Sequence, residues 1–218
     1  MFRLTATLLL TLITLTIKAQ TTMPEKPNYG LSFNSEKELS TLNLSDSTGW
    51  IISKNGNGGK CLKQVGKNFQ KDSTIRSTIL FKTPDVGSYI LEADVMQTPT
   101  NYDLVHLCLI FGYQGADQYA FAQLASQADR FTHNVFIVDK NDQQRILEKQ
   151  EKAIDWGFEQ WHKVKIERNT TLSSIKVWVD DSLVFESNDE RLMHKGQVGL
   201  GNSGDSYKLD NLKLWIAQ

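Results

Sequence analysis

The chain has 218 residues, 40% of them hydrophobic, with 24 Lys and Arg set against 25 Asp and Glu for a net charge of −1. So even a balance leaves none of the basic footprint that nucleic-acid binders carry, and no block of like charge forms an interaction tail.

Residues 1–19 are predicted to be a removable leader. Arg3 gives a basic start, Leu4 to Ile17 an apolar run interrupted by threonines, and Ala19 a small residue at the cut. The run is shorter than the about 20 residues a membrane-spanning helix needs. The expectation is an exported protein, secreted or periplasmic, free of the membrane once cleaved. Cleavage after Ala19 leaves 199 residues and, with Arg3 and Lys18 gone, a charge of −3. "QTTMPEKPN" (residues 20–28) carries two prolines and reads as a short flexible lead-in. Residues 29–218 read as one domain.

From there the rhythm is β. "SEKELSTL" opens with a capping box, Ser35 to Glu38, but spans only two turns. Strand-like runs follow: "TIRSTILF", "YILEADV", "VHLCLIF", "QYAFAQL" and "NVFIVDK". "QRILEKQ" lacks a 3.6-residue apolar stripe and is predicted to be a strand with a loop after it. Then come "HKVKIER", "IKVWVDD", "LVFES", "QVGLG" and "YKLDNLKLW", parted by Gly, Asn, Asp and Pro turns. More than ten short strands at this spacing predict an all-β, two-sheet antiparallel sandwich. Cys61 and Cys108 both fall in predicted strands. They either pair in an oxidising compartment or remain two buried thiols, and the sequence leaves both open.

Alternation separates faces. In "YILEADV", Tyr89, Leu91, Ala93 and Val95 point one way, and Ile90, Glu92 and Asp94 the other; Trp178 opposes Ile175, Val177 and Val179. Glu92-Ala-Asp94-Val-Met-Gln97 stops one residue short of the Glu-x-Asp-x-x-Glu strand used by a large group of glucan-cleaving enzymes. A retaining glycosidase needs two carboxylates about 5–5.5 Å apart. Gln97 stands where the acid would be, and an amide donates no proton to a leaving oxygen. "GLGNSG" (199–204) matches Gly-x-Gly-x-x-Gly, but a strand follows it rather than a helix, so it reads as a turn between strands. His106, His133, His162 and His194 lack metal-ligand spacing. His162 shares a face with Val164 and Ile166 and reads as a satisfied, partly buried histidine.

The last sixty residues, "WHKVKIERNTTLSSIKVWVDDSLVFES" and "KGQVGLGNSGDSYKLDNLKLW", resemble the ending of concanavalin A-like lectin/glucanase sandwiches. The likeness is to laminin-G-like domains and the 3-keto-disaccharide hydrolase-like domain of bacterial secreted proteins. "GWIISKNGNGGKCLKQ" resembles their early strand pair and "IFGYQGADQYAFAQL" their middle hairpin. The resemblance implies a jelly-roll sandwich that holds carbohydrate on its concave sheet face. Glu92, Asp94 and Trp178 are the expected contacts, with Tyr119 and His106 behind them. It also implies that Asp210, in the closing strand, is a candidate calcium ligand. Two other activities are open: glycoside hydrolysis of the 3-keto-disaccharide type, tested at Glu92, Asp94 and His106, and protein adhesion of the laminin-G-like type.

Overall fold

The computed structural model describes residues 22–218 except 46, 57, 66–74, 76, 99–104, 141, 150 and 203–205. The predicted leader lies outside the described residues.

Fifteen described strands form two antiparallel sheets. They are β1 (Tyr29–Leu31), β2 (Leu42–Leu44), β3 (Trp50–Lys54), β4 (Lys60–Gln64), β5 (Ser77–Phe81), β6 (Tyr89–Gln97), β7 (His106–Gly115) and β8 (Gln118–Ala125). The rest are β9 (Val135–Asp139), β10 (Asp142–Arg145), β11 (Trp161–Asn169), β12 (Ser174–Val179), β13 (Ser182–Ser187), β14 (Gln197–Asn202) and β15 (Tyr207–Ile216). The first sheet runs β13-β12-β11-β6-β15-β4-β3, and β1 joins the second half of β15. The second sheet runs β10-β9-β8-β7-β14-β5-β2. Consecutive hairpins interleave with strands that return from far along the chain, which is the jelly-roll arrangement.

Alternation decides what each sheet buries. Leu91, Ala93 and Val95 of β6, Val164 and Ile166 of β11, and Leu209 and Leu214 of β15 face inward from the first sheet. They meet Phe81, Leu107, Leu109, Phe111, Ala122 and Leu200 of the second in one continuous core. Each such Val, Leu, Ile or Phe contributes about 1.5–3 kcal/mol on leaving water. Close approach between strands needs glycine at one place above all: a Cβ on Gly199 would lie 1.8 Å from the Ile79 carbonyl oxygen of β5.

Local outcomes differ from the sequence expectations in instructive ways. "SEKELSTL" forms a 3-10 turn, Glu36–Thr41, capped by the Ser35 hydroxyl, which accepts from the Lys37 amide. Glu38 does not complete the box; its Oε2 accepts from the Ser32 and Phe33 amides at 2.7 Å each. That lets Phe33 hold a left-handed φ of 55° while its ring is fully buried. The strand expected over "QRILEKQ" is shorter and earlier, because β10 is in register with β9 only from Asp142 to Arg145. The end of the expected lead-in is tied down: the Asn28 amide donates to Leu214 O, and its Oδ1 accepts from the Ile216 amide.

The expected option of a Cys61–Cys108 bridge is corrected. Neither cysteine is in a disulfide, and both are buried. Cys61 alternates with core-facing Leu62 on the first sheet, so its side chain leaves the core on that side; its Sγ donates to Lys54 O. Cys108 alternates with core-facing Leu107 and Leu109 and packs on the far side of the second sheet. With stacked sheets about 10 Å apart and the two Cβ vectors diverging, no disulfide closes.

Candidate functional site

Glu92, Asp94 and Trp178 do share one surface, the outer face of the first sheet. Register runs across it in rows. Lys213 sits opposite Glu92, Glu92 opposite Lys165, and Lys165 opposite Trp178. In the next row Glu167 faces Lys176, which pairs with Glu186 at 3.2 Å. In a third, Lys163 bonds Asp94 at 2.8 Å, and Asn211 Nδ2 donates to the other Asp94 oxygen at 2.7 Å. The Asp94 hydrogen bond holds the Lys163 ammonium above its ordinary value. Alternating signs on neighbouring strands make a ladder of facing opposite charges, the sheet counterpart of paired charges along a helix.

This ladder occupies the groups expected to meet sugar. Lys165 Nζ lies over the Trp178 ring, 4.7 Å from its centroid, so the indole face is taken by a cation. The small cleft lined by Glu92, Lys163, Lys165, Trp178 and Asp181 is thus roofed by charge rather than by an open aromatic plate.

Gln97 settles the glucanase-like motif. β6 pairs with β11 without interruption from Tyr89 to Met96, so position 97 keeps the parity of Tyr89, Leu91, Ala93 and Val95. Its side chain faces inward and is 1% exposed. The third position of the motif is therefore on the opposite face from Glu92 and Asp94, whatever residue occupies it.

Asp210 neighbours Asp94 on the same outer face. Its Oδ2 accepts from Asn55 Nδ2 at 3.1 Å and its Oδ1 from the Asn211 amide at 2.8 Å. Each of its carboxylate oxygens thus already accepts one hydrogen bond. Among the described residues, no three His, Cys, Asp or Glu side chains converge as a metal-binding group. His162 behaves as read from sequence: Nδ1 meets Asp180 Oδ2 at 2.6 Å and Nε2 meets Trp156 O at 2.9 Å.

Tyr119 and His106 stand elsewhere, on the outer face of the second sheet. The five expected contacts therefore do not converge in one groove, and Glu92, Asp94 and His106 form no common constellation. The reason is topological: β6, β11 and β12 belong to one sheet, β7 and β8 to the other. That second outer face is apolar at its centre, where Cys108, Ile110, Tyr119, Phe121 and Phe136 pack as a layer of their own. Its rings form a run: Tyr113–Tyr119 centroids are 5.8 Å apart, Tyr119–Phe121 5.9 Å and Phe121–Phe136 5.1 Å.

At one end of that run a cleft of about 270 Å³ opens between β2, β5, β14 and the β7–β8 hairpin. Tyr113, Tyr119 and Leu80 give it apolar walls, while Asn43, Thr78 and Gln197 give it neutral hydrogen-bonding groups. Half-buried Tyr113 has its phenol pushed up by burial, with Asp117 adding to the effect, so it stays a neutral donor. Apolar walls with a few placed polar groups are the usual make-up of small-ligand sites, and the volume falls just under their range of about 300–1,000 Å³. Sequence reading singled out Tyr119 but not Tyr113, although both occur in the hairpin "IFGYQGADQYAF". They are six apart with the turn between them, and only the Phe111–Gly115 register shift turns Tyr113 toward Tyr119.

No family model matches this sequence, and no curated protein does. Solved structures do. The chain is similar to the carbohydrate binding module CBM66 from Bacillus subtilis, at 18% identity with a TM-score of 0.58, covering 80% of this chain and 94% of that one. It is similar to the Emp46p carbohydrate recognition domain at 13% identity and a TM-score of 0.57, covering 87% and 97%. It also aligns with the GH43 BlXynB protein from Bacillus licheniformis at 13% identity and a TM-score of 0.60, over 91% of this chain but 40% of that one. At these identities the likeness establishes the jelly-roll sandwich and no residue-level role.

Proposed function

We propose that this protein binds carbohydrate, as an exported module in glycan recognition or use, through the tyrosine-lined cleft on the outer face of the second sheet. The observation that carries the reading is the pairing of Tyr113 and Tyr119 beside neutral amide and hydroxyl groups. A sugar ring offers an apolar C–H face and a rim of hydroxyls. Phenol rings match the first, and Asn43, Thr78 and Gln197 match the second. The neighbours whose names state carbohydrate binding share the fold and support the ligand class. The charge ladder on the opposite sheet is a structural surface in this reading. The leader expected from the sequence of residues 1–19 supports delivery outside the cytoplasm, and no described helix is long and apolar enough to cross a membrane.

The test is retardation of the purified protein in gels cast with soluble polysaccharides, comparing wild type, Tyr113→Ala and Trp178→Ala. Tyr113→Ala should weaken retention about tenfold, the loss of one aromatic contact worth about 1.4 kcal/mol. Trp178→Ala should retain it. Retention that survives Tyr113→Ala but disappears with Trp178→Ala would move the site to the other sheet.

A further inference from the structure

Arg168 on β11 heads the fully buried side chains by volume, and its hydrogen bonds go to carbonyls rather than to a carboxylate. Its Nε and Nη2 donate to Leu192 O at 3.1 and 2.8 Å, Nη2 also to His194 O at 2.6 Å, and Nη1 to the Val86 and Gly87 carbonyls. Burial pushes the guanidinium below its ordinary value, with nearby Tyr89 acting in the opposite sense. Desolvating a guanidinium costs several kcal/mol, so a cation held this way marks a segment whose position is tightly specified. The segment is the 3-10 turn Glu190–Met193 and the His194 that follows. It also lies directly on β7: Gly112 has a φ of 58°, and a Cβ there would stand 2.8 Å from His194 O.

That fixed segment forms one wall of a cleft of about 230 Å³, whose other wall is made by β8, β9 and β10. Ala120, Ile137 and Leu192 form an apolar floor, and Gln118, Gln144 and Arg191 project polar groups. Those groups are preset. Arg191 forks onto Asp189, with Nε at 3.0 and 3.1 Å from its two oxygens, and its Nη1 reaches Gln144 Oε1 only at a long 3.4 Å. Gln144 Nε2 is anchored on Asp142 at 2.9 Å. Asp189 offsets the Arg191 charge, and Asp139 and Asp142 line the cleft as well, so nothing favours an anion. Amides, carboxylates and one oriented guanidinium over an apolar floor suit a neutral polyol, whose vicinal hydroxyls both donate and accept.

We infer that this cleft is a second carbohydrate site, which makes the module bivalent. The inference rests on the reading that the protein binds sugar. Tyr119 and Val138 also border this cleft, so the two sites adjoin at Tyr119: Ala120 and Ile137 floor this one with core parity, while Tyr113 and Leu80 wall the other on the outer face. Two sites on one rigid body bind a polysaccharide more tightly than either alone and can link separate chains.

The experiment is calorimetric titration with cellotetraose, xylotetraose, maltotetraose and a fructan tetrasaccharide, with side-chain amide NMR at Gln118 and Gln144. The expected result is two molar equivalents for at least one sugar, amide shifts at both glutamines, and one equivalent lost in Gln144→Ala and the other in Tyr113→Ala. One equivalent that vanishes with Tyr113→Ala alone, with the glutamine amides unmoved, overturns the second site and leaves the first. One equivalent that vanishes with Gln144→Ala alone keeps this cleft as a sugar site but overturns the tyrosine cleft and, with it, the bivalence. Absence of binding by all four sugars overturns both.

Discussion

Replacing Arg168 by Met keeps most of the stem in its slot and removes every donated hydrogen bond. The Val86 carbonyl retains a partner, because it also accepts from the Gly196 amide at 3.3 Å. The Leu192, His194 and Gly87 carbonyls lose the guanidinium. Each acceptor stranded out of water costs about 1–3 kcal/mol, and relief of the guanidinium's own desolvation returns part of that sum. The net expected loss is about 3–5 kcal/mol, at the upper end of what single substitutions do. Urea unfolding followed by tryptophan fluorescence measures it. With a slope of about 2 kcal/mol/M, the midpoint should fall by about 1.5–2.5 M. Arg168→Lys should also fall well below wild type, since one compact ammonium cannot bridge the 86–87 and 192–194 segments together. A midpoint shift under about 0.5 M for Met would refute the claim that this cation holds the two segments in place.

Gln97→Glu, which completes the glucanase-like pattern on paper, should bring no hydrolysis of β-glucans. It should destabilise the fold by on the order of 3 kcal/mol at neutral pH, because the new carboxylate points into the core. Glu92→Gln combined with Asp94→Asn should leave polysaccharide retention unchanged and cost no more than about 1 kcal/mol, the scale of half-exposed charge pairs. The Arg191 hydrogen bonds hold the Asp189 carboxylate below its ordinary value of 3.8. A carboxylate depressed in the folded state stabilises above that ordinary value and loses its contribution as pH falls through the depressed one. The Arg191 Nε–H resonance should therefore broaden or shift below about pH 4, and Asp189→Asn should abolish that acid step.

The strands themselves were readable because a half-buried strand alternates, and β11 and β12 do so without a break, as does β6 as far as Val95. Parity also held the clues that went unused. Gln97 shares its side of the strand with Val95 and Ala93, and Arg168 shares its side with Ile166 and Val164, so each was marked as interior by its own neighbours. What alternation cannot supply is which sheet a strand joins. Glu92 and Tyr119 both lie in well-patterned strands, yet one strand is paired with β11 and β15 and the other with β7 and β9. Two residues that each point away from the core can therefore look out from opposite sides of the molecule. The tyrosine cleft depended on a register shift in the β7–β8 hairpin, and the Arg191 wall on a cation 23 residues upstream. Neither leaves a local signal.

β15 joins the two parts of the first sheet, with β6 on one side and β4 and β1 on the other. It is also the last of the described strands to emerge from the ribosome. Until Tyr207 to Ile216 arrive, β3 and β4 have no route to β6, and the Leu209, Leu212 and Leu214 part of the interior is missing. The nascent polypeptide thus stays open until this strand arrives, and closure waits for contacts between β15 and strands far upstream of it. A protease cut just ahead of Tyr207 should therefore unravel the sandwich instead of trimming it.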